Sequence, residues 1–261
     1  MSNYYYLASS LPSLEFPVLP EQDVESLSSS LEENLSKEDS KKLESLRLLV
    51  DILNLKPLLQ EEEIDPRGNL GEKQLGDALL SHDCLPDYVF EFLDEQETLV
   101  DKLKNFSFLL ARFFKEEIAK QKGFLLKFFT FEREWRLVVL ALRAKVLGRD
   151  IFKELQFEDP QDPFVMQILA QKDAEVYEPP VEYKELKDLF SPSEAGQKMN
   201  SWEQNKALAL FRFRKVEEMK EREQFSVDFI LAYLVQAMII EYWNELDLAK
   251  GKIILDTFKK S

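Results

Sequence analysis

The sequence predicts an all-α, multi-helix protein. Three observations carry that prediction. Glycine is scarce, seven in 261 residues, and helices exclude it more strongly than phosphate-cradling loops do. Prolines cluster at 12–20 and 160–192 and leave 87–159 and 193–261 free of them, so long helices have room there. No convincing alternating strand run occurs; "NYYYLAS" at 3–9 is the one β-like stretch.

Each element follows in order. Leu43, Leu46, Val50 and Leu53 stripe a first helix, which Ser36 caps with Asp39 three residues on and which ends before Pro57. Leu99, Leu103, Phe106, Leu110 and Phe113 recur at helical steps and mark a second. Gly123 marks a join. A third helix then runs from about Phe124 to Leu147, nearly all apolar in "LVVLALRAKVL", with Gly148 as its stop. "SPSE" at 191–194 and "SWEQ" at 201–204 read as helix starts, the latter opening a helix from 202 to about 223. Ser226 caps the last, "FILAYLVQAMII", where Gln236 is the one polar residue between Phe229 and Ile240. That run is roughly 12 residues, short of the about 20 needed to span a bilayer. It reads as a buried helix, with Phe229, Leu231, Leu234, Val235, Met238 and Ile239 inside.

The chain reads as one domain over 1–261, with two pseudo-repeated halves, about 1–158 and 159–261, as the alternative. "EWRLVVLALRAK" (134–145) and "YWNELDLAKGK" (242–252) align on Trp135 and Trp243; a duplicated unit and a chance match of two amphipathic helices both explain the echo.

Net charge is −15, which lacks the cationic footprint of a nucleic-acid binder. The charge is uneven. Residues 1–65 hold 14 acids and 5 bases, whereas 112–149 hold 10 bases and 4 acids. Lys120, Lys122, Lys127 and Arg136 are therefore one candidate face for acidic partners. Arg133, Arg136 and Arg143 sit in or beside an apolar helix, where arginine pairs with carboxylate; Glu132, Glu134 and Glu241 are candidate partners. One cysteine, Cys84, permits no internal disulfide and suits a reducing, cytoplasmic setting. The N-terminus does not read as a signal peptide.

No catalytic, cofactor-binding or metal residue is assigned. His82, beside Asp83, Cys84 and Asp87, is the only histidine and makes a poor zinc set, so it reads as a loop residue. "RGNLGEK" (67–73) has the glycines but not the spacing of a phosphate loop.

Three stretches together carry a resemblance: "NYYYLASSLPSLEF" (3–16), "FEREWRLVVLALRAKVLGRDI" (131–151) and "FSVDFILAYLVQAMIIEYWNEL" (225–246). They resemble a bacterial family encoded among V/A-type ATPase genes, itself similar to a divergent form of the V/A-type ATPase C subunit, the d subunit of the eukaryotic enzyme. Arg136, Leu137, Leu140, Arg143, Ala144, Lys145 and Gly148 follow that family's recurring helix, with Trp135 where asparagine is common. Ala232-Tyr233-Leu234 and Gly251-Lys252 form a worn second copy.

The resemblance implies helical subdomains like those of that ATPase component, built from long antiparallel helices. It implies a non-catalytic central-stalk (rotor) role, linking the shaft to the membrane ring and coupling ATP hydrolysis or synthesis to ion transport. The protein would have no cofactor, bind no nucleic acid, and meet the membrane only through the complex, on the cytoplasmic side of the inner membrane. The residues alone leave two rivals: an acidic all-α adaptor unrelated to the ATPase, and a helical enzyme without a recognised motif.

Overall fold

A computed structural model describes residues 4–190, 200–220 and 225–260, with backbone alone from 247 to 260. The described residues are all-α, without a strand. In chain order the helices are α1 (Tyr5–Ser10), α2 (Val24–Asn34), α3 (Lys37–Leu59), α4 (Glu72–Ser81), α5 (Asp87–Glu95), α6 (Leu99–Lys104), α7 (Phe106–Lys120), α8 (Gly123–Val146), α9 (Ile151–Glu154), α10 (Pro163–Leu169), α11 (Glu185–Asp188), α12 (Ser201–Met219) and α13 (Val227–Lys260), with a 3-10 turn at Val181–Tyr183. The chain divides into a terminal unit, Met1–Leu43 with Asn200–Ser261, and a central unit, Glu44–Met199.

The terminal unit is built on α13. Residues 230–237 are buried without interruption, with Ile239 and Ile240 beyond them. Of the six residues expected inside, Leu231, Leu234, Val235 and Ile239 are buried, and Phe229 and Met238 are half-buried. No helix among the described residues is long and apolar enough to cross a membrane. Gln236 is fully enclosed. Its amide donates to the Phe213 carbonyl (3.2 Å) and to Glu217 (2.9 Å), tying α13 to α12. Ser226 Oγ accepts the Phe229 N–H at 3.2 Å, the expected cap. Glu241 accepts the Val24 N–H (3.2 Å) at the start of α2, whose Val24, Leu27 and Leu31 are buried.

Two local readings change here, and a third is not described. "NYYYLAS" is not a strand. Its helix α1 begins after Tyr4, whose N–H bonds the Phe225 carbonyl at 3.0 Å and whose hydroxyl donates to Asp39 at 2.5 Å, so tertiary contacts override β propensity. The cap of α12 is Asn200 with Glu203, one residue before the "SWEQ" box. The "SPSE" start lies outside the described residues.

In the central unit α3 continues through Pro57 to Leu59. A proline so near the end removes few helical bonds. The buried line on that helix is Leu43, Leu46, Leu49, Ile52 and Leu55, whereas Val50 and Leu53 are half-exposed. The 99–113 stripe is two helices, broken at Asn105. Gly123 and Gly148 both take positive φ, near +60°. Gly148 closes α8 with the 6→1 and 5→2 pair of a Schellman stop: Arg149 N–H to Ala144 and Gly148 N–H to Lys145.

Candidate functional site

The central unit presents a groove that combines apolar walls with fixed charge. It forms because α7 and α8 are joined by a two-residue link (121–122) and pack as a hairpin, with Phe113 edge-on to Phe129 at 5.5 Å. One face of α7 stays outside that packing and carries Phe108, Ala111, Lys115 and Ala119, at helical spacing. The segment after α9 returns beside it and brings Phe157 against Phe108, ring centroids 5.5 Å apart. The space enclosed is about 710 Å³, within the usual size of ligand sites.

The groove's guanidiniums are engaged within the chain. Arg133, on α8, donates to Glu158 (2.6 and 3.0 Å) and to Asp162 (3.1 Å). Burial opposes its charge, but the two carboxylates outweigh burial and raise its ionisation. Arg112 pairs with Glu91. Asp162 also caps α10 through the Phe164 and Val165 N–H groups, with Pro163 in the first turn. The lining holds no serine, cysteine, histidine or tyrosine.

Of the basic residues that sequence reading offered as a partner face, Lys120, Lys122 and Lys127 are exposed, and Arg136 alone is half-buried. Arg136 pairs with fully buried Glu132 at 2.9 Å, as expected, and lies over the Phe114 ring. Lys120 pairs with Glu117 at 2.9 Å. Arg143 lies over Phe190 at 5.6 Å, and Lys145 bonds the Lys172 and Ala174 carbonyls. Glu134 accepts the Tyr183 hydroxyl at 2.6 Å. Burial raises the Glu134 carboxyl above its usual range, although Tyr183 and Arg133 pull it down. Glu241, the third carboxylate proposed, serves α2 instead. Sequence reasoning missed Glu158 and Asp162. The "DP" at 162–163 was their one local signal, a helix cap and first-turn proline.

A second polar centre holds the "RGNLGEK" loop. Asp51, 1% exposed, accepts Leu70 N–H (3.0 Å) and the Asn69 amide (2.8 Å). Burial raises its carboxyl above the usual range against those bonds and the Arg47 charge. Arg47 donates to the Arg67 and Gly68 carbonyls, and Asn54 bonds both N–H and C=O of Asp65. A Cβ on Gly68 would stand 2.2 Å from Asp51 Oδ1. The glycine therefore serves close approach to a carboxylate, not to a phosphate. His82 ends α4 and stacks on Phe90 at 4.7 Å. No group of three or more metal-ligating side chains occurs among the described residues.

A family model described as "Protein of unknown function (DUF2764)" matches residues 1–261, so the chain belongs to the DUF2764 family. It is 31% identical over 174 residues to an uncharacterized protein of Chlamydia muridarum, across 67% of this chain and 64% of that protein. It thus spans less than two thirds of that relative's length. An uncharacterized protein of Chlamydia pneumoniae is 29% identical over 268 residues, 100% of this chain and 99% of its own. No solved structure matches. These findings overturn the resemblance to the V/A-type ATPase family, and with it the ground for expecting that family's subdomains: the whole-chain match is to DUF2764, and the relatives carry no ATPase description. The residues that suggested it have a local explanation, since Arg136, Arg143 and Lys145 hold segments of the central unit and Gly148 stops α8.

Proposed function

We propose that this protein is a non-catalytic, all-α interaction module, an adaptor that docks a partner polypeptide in the groove between α7, α8 and residues 157–162. One observation carries the reading. The groove offers half-exposed Phe108, Phe157 and Ala111 and exposed Ala119, while its guanidiniums are already satisfied by Glu91, Glu158 and Asp162. Such a surface attracts an apolar helix face more than a free anion, because an incoming carboxylate would have to displace existing ion pairs. The exposed line on α7 from Phe108 to Ala119 is about 16 Å long at 1.5 Å per residue, enough for three turns of a partner helix.

A photo-crosslinking residue at Ala119 tests it. The reading expects one saturable partner, whose binding to the purified protein falls at least about tenfold, ~1.4 kcal/mol, when Ala119→Arg fills the groove. Unchanged binding by that variant would remove the groove from the account. The central-stalk role stood on the ATPase resemblance and has lost that support. Its own test is reconstitution of the ATPase with and without the chain, measuring hydrolysis and ion pumping separately.

A further inference from the structure

We propose that residues 156–162 form a strap along the groove, latched by the Arg133 guanidinium, and that unlatching it widens the groove. The strap is anchored at both ends by buried side chains, Leu155 and Val165, and no side chain between them is buried. Its backbone hydrogen bonds are local turns, Glu158 N–H to Leu155 and Asp162 N–H to Asp159, each 3.0 Å. Among the described contacts, its middle is held to the rest of the unit by two side-chain links. One is the Phe157 ring on Phe108. The other is Arg133, with three charge-assisted bonds to Glu158 and Asp162.

The two links differ in kind. A ring contact is non-directional and survives small slides, whereas a guanidinium fork fixes both carboxylates in one geometry. Without the fork, Glu158 and Asp162 lose the counterion that they share, and the repulsion between them favours the open strap. Asp162 also caps α10, so the latch acts at the hinge where the strap meets that helix. Opening would expose Phe108 and Phe157 further, which makes Arg133 a positioning residue for the apolar wall. This inference rests on the docking reading only for the strap's purpose; the latch is tested without any partner.

The test places spin labels at Ser107→Cys, exposed on α7, and Gln161→Cys, exposed on the strap, in a Cys84→Ser background, and measures the label–label distance. One narrow distribution is expected with Arg133 intact. R133Q should add a second, longer population with the circular dichroism unchanged, and R133K, which keeps the charge but not the fork, should add a smaller one. F157A should keep the single distribution. Should R133Q fail to fold, R133K carries the test. An unshifted distance in the folded Arg133 variants would overturn the latch, as would a longer population in F157A equal to theirs. Failure of the docking reading is distinct: it shows in the Ala119→Arg binding measurement and leaves these distances as they are.

Discussion

In the terminal unit, α13 is buried without interruption from 230 to 237, and Gln236, the polar side chain enclosed there, bonds to α12. In the central unit, α8 is equally buried along Leu137–Val139, Ala141 and Leu142, yet its charged residues reach outward to separate segments: Arg133 to 158–162, Glu134 to Tyr183, Arg143 to Phe190, Lys145 to Lys172 and Ala174. Apolar burial is non-directional and scales with area. It can close a simple packing of α2, α12 and α13, but it cannot say where a short, polar, proline-broken connection should lie. Directional charge-assisted bonds can. The central unit uses such bonds from α8 to place the connections that follow it.

The sharpest way to break this contrast is to cut the apolar side of it. Leu234→Ala, at a fully buried site on α13, should cost about 2–5 kcal/mol in urea unfolding. A loss below about 0.5 kcal/mol would mean that all-round burial does not hold the terminal unit. Gly68→Ala comes next. Its new Cβ meets the Asp51 carboxylate, and forced repacking there should cost roughly 1–3 kcal/mol. A neutral result would show the loop 65–71 free to shift. Arg133→Gln should cost about 1–3 kcal/mol by stranding two carboxylates. Leu234→Ala should lower stability throughout the terminal unit, whereas this loss should show as local opening of 156–162.

The smallest effect concerns pH and the two buried acids of α3. Burial would raise Asp39, but hydrogen bonds from Tyr4, Lys42 and Ser36 outweigh it and hold the carboxyl below its usual range. Its contribution is complete above the unfolded aspartate value, about 3.9, and is lost as pH falls through the lower folded value. Asp51 runs the other way. Its raised carboxyl opposes folding at neutral pH, and that opposition is relieved as pH falls through the folded value. Asp39→Asn should therefore flatten the acid limb of stability against pH, measured by thermal melts between about pH 2 and 5. An acid limb as steep as that of the parent would contradict the assignment.

Much of the fold was legible because its signals are local. Proline spacing bounded the long helices, glycine at 123 and 148 marked the ends of α8, and Ser36 and Ser226 cap as read: Ser36 Oγ accepts the Asp39 N–H at 3.2 Å. What was misread depends on distant partners. The β-like tyrosines became helical because Phe225 and Asp39 hold Tyr4. Arg133 and Arg143 were matched to the wrong partners because Glu158, Asp162 and Phe190 lie far along the chain from α8. Glu132 was found because it stands four residues from Arg136, one helical turn away. The groove joins α7 to a segment about 40 residues downstream, and helical periodicity carries no information at that separation.

The central claim is that the α7–α8 groove docks a partner polypeptide. Its most direct measurement compares binding of the crosslink-identified, purified partner to the parent protein, to Ala119→Arg in the groove and to Leu80→Arg, a change at an exposed α4 site outside the groove lining. The account predicts at least about a tenfold loss for Ala119→Arg and parent-like affinity for Leu80→Arg. Equal affinity of all three proteins, or loss through Leu80→Arg alone, would contradict it.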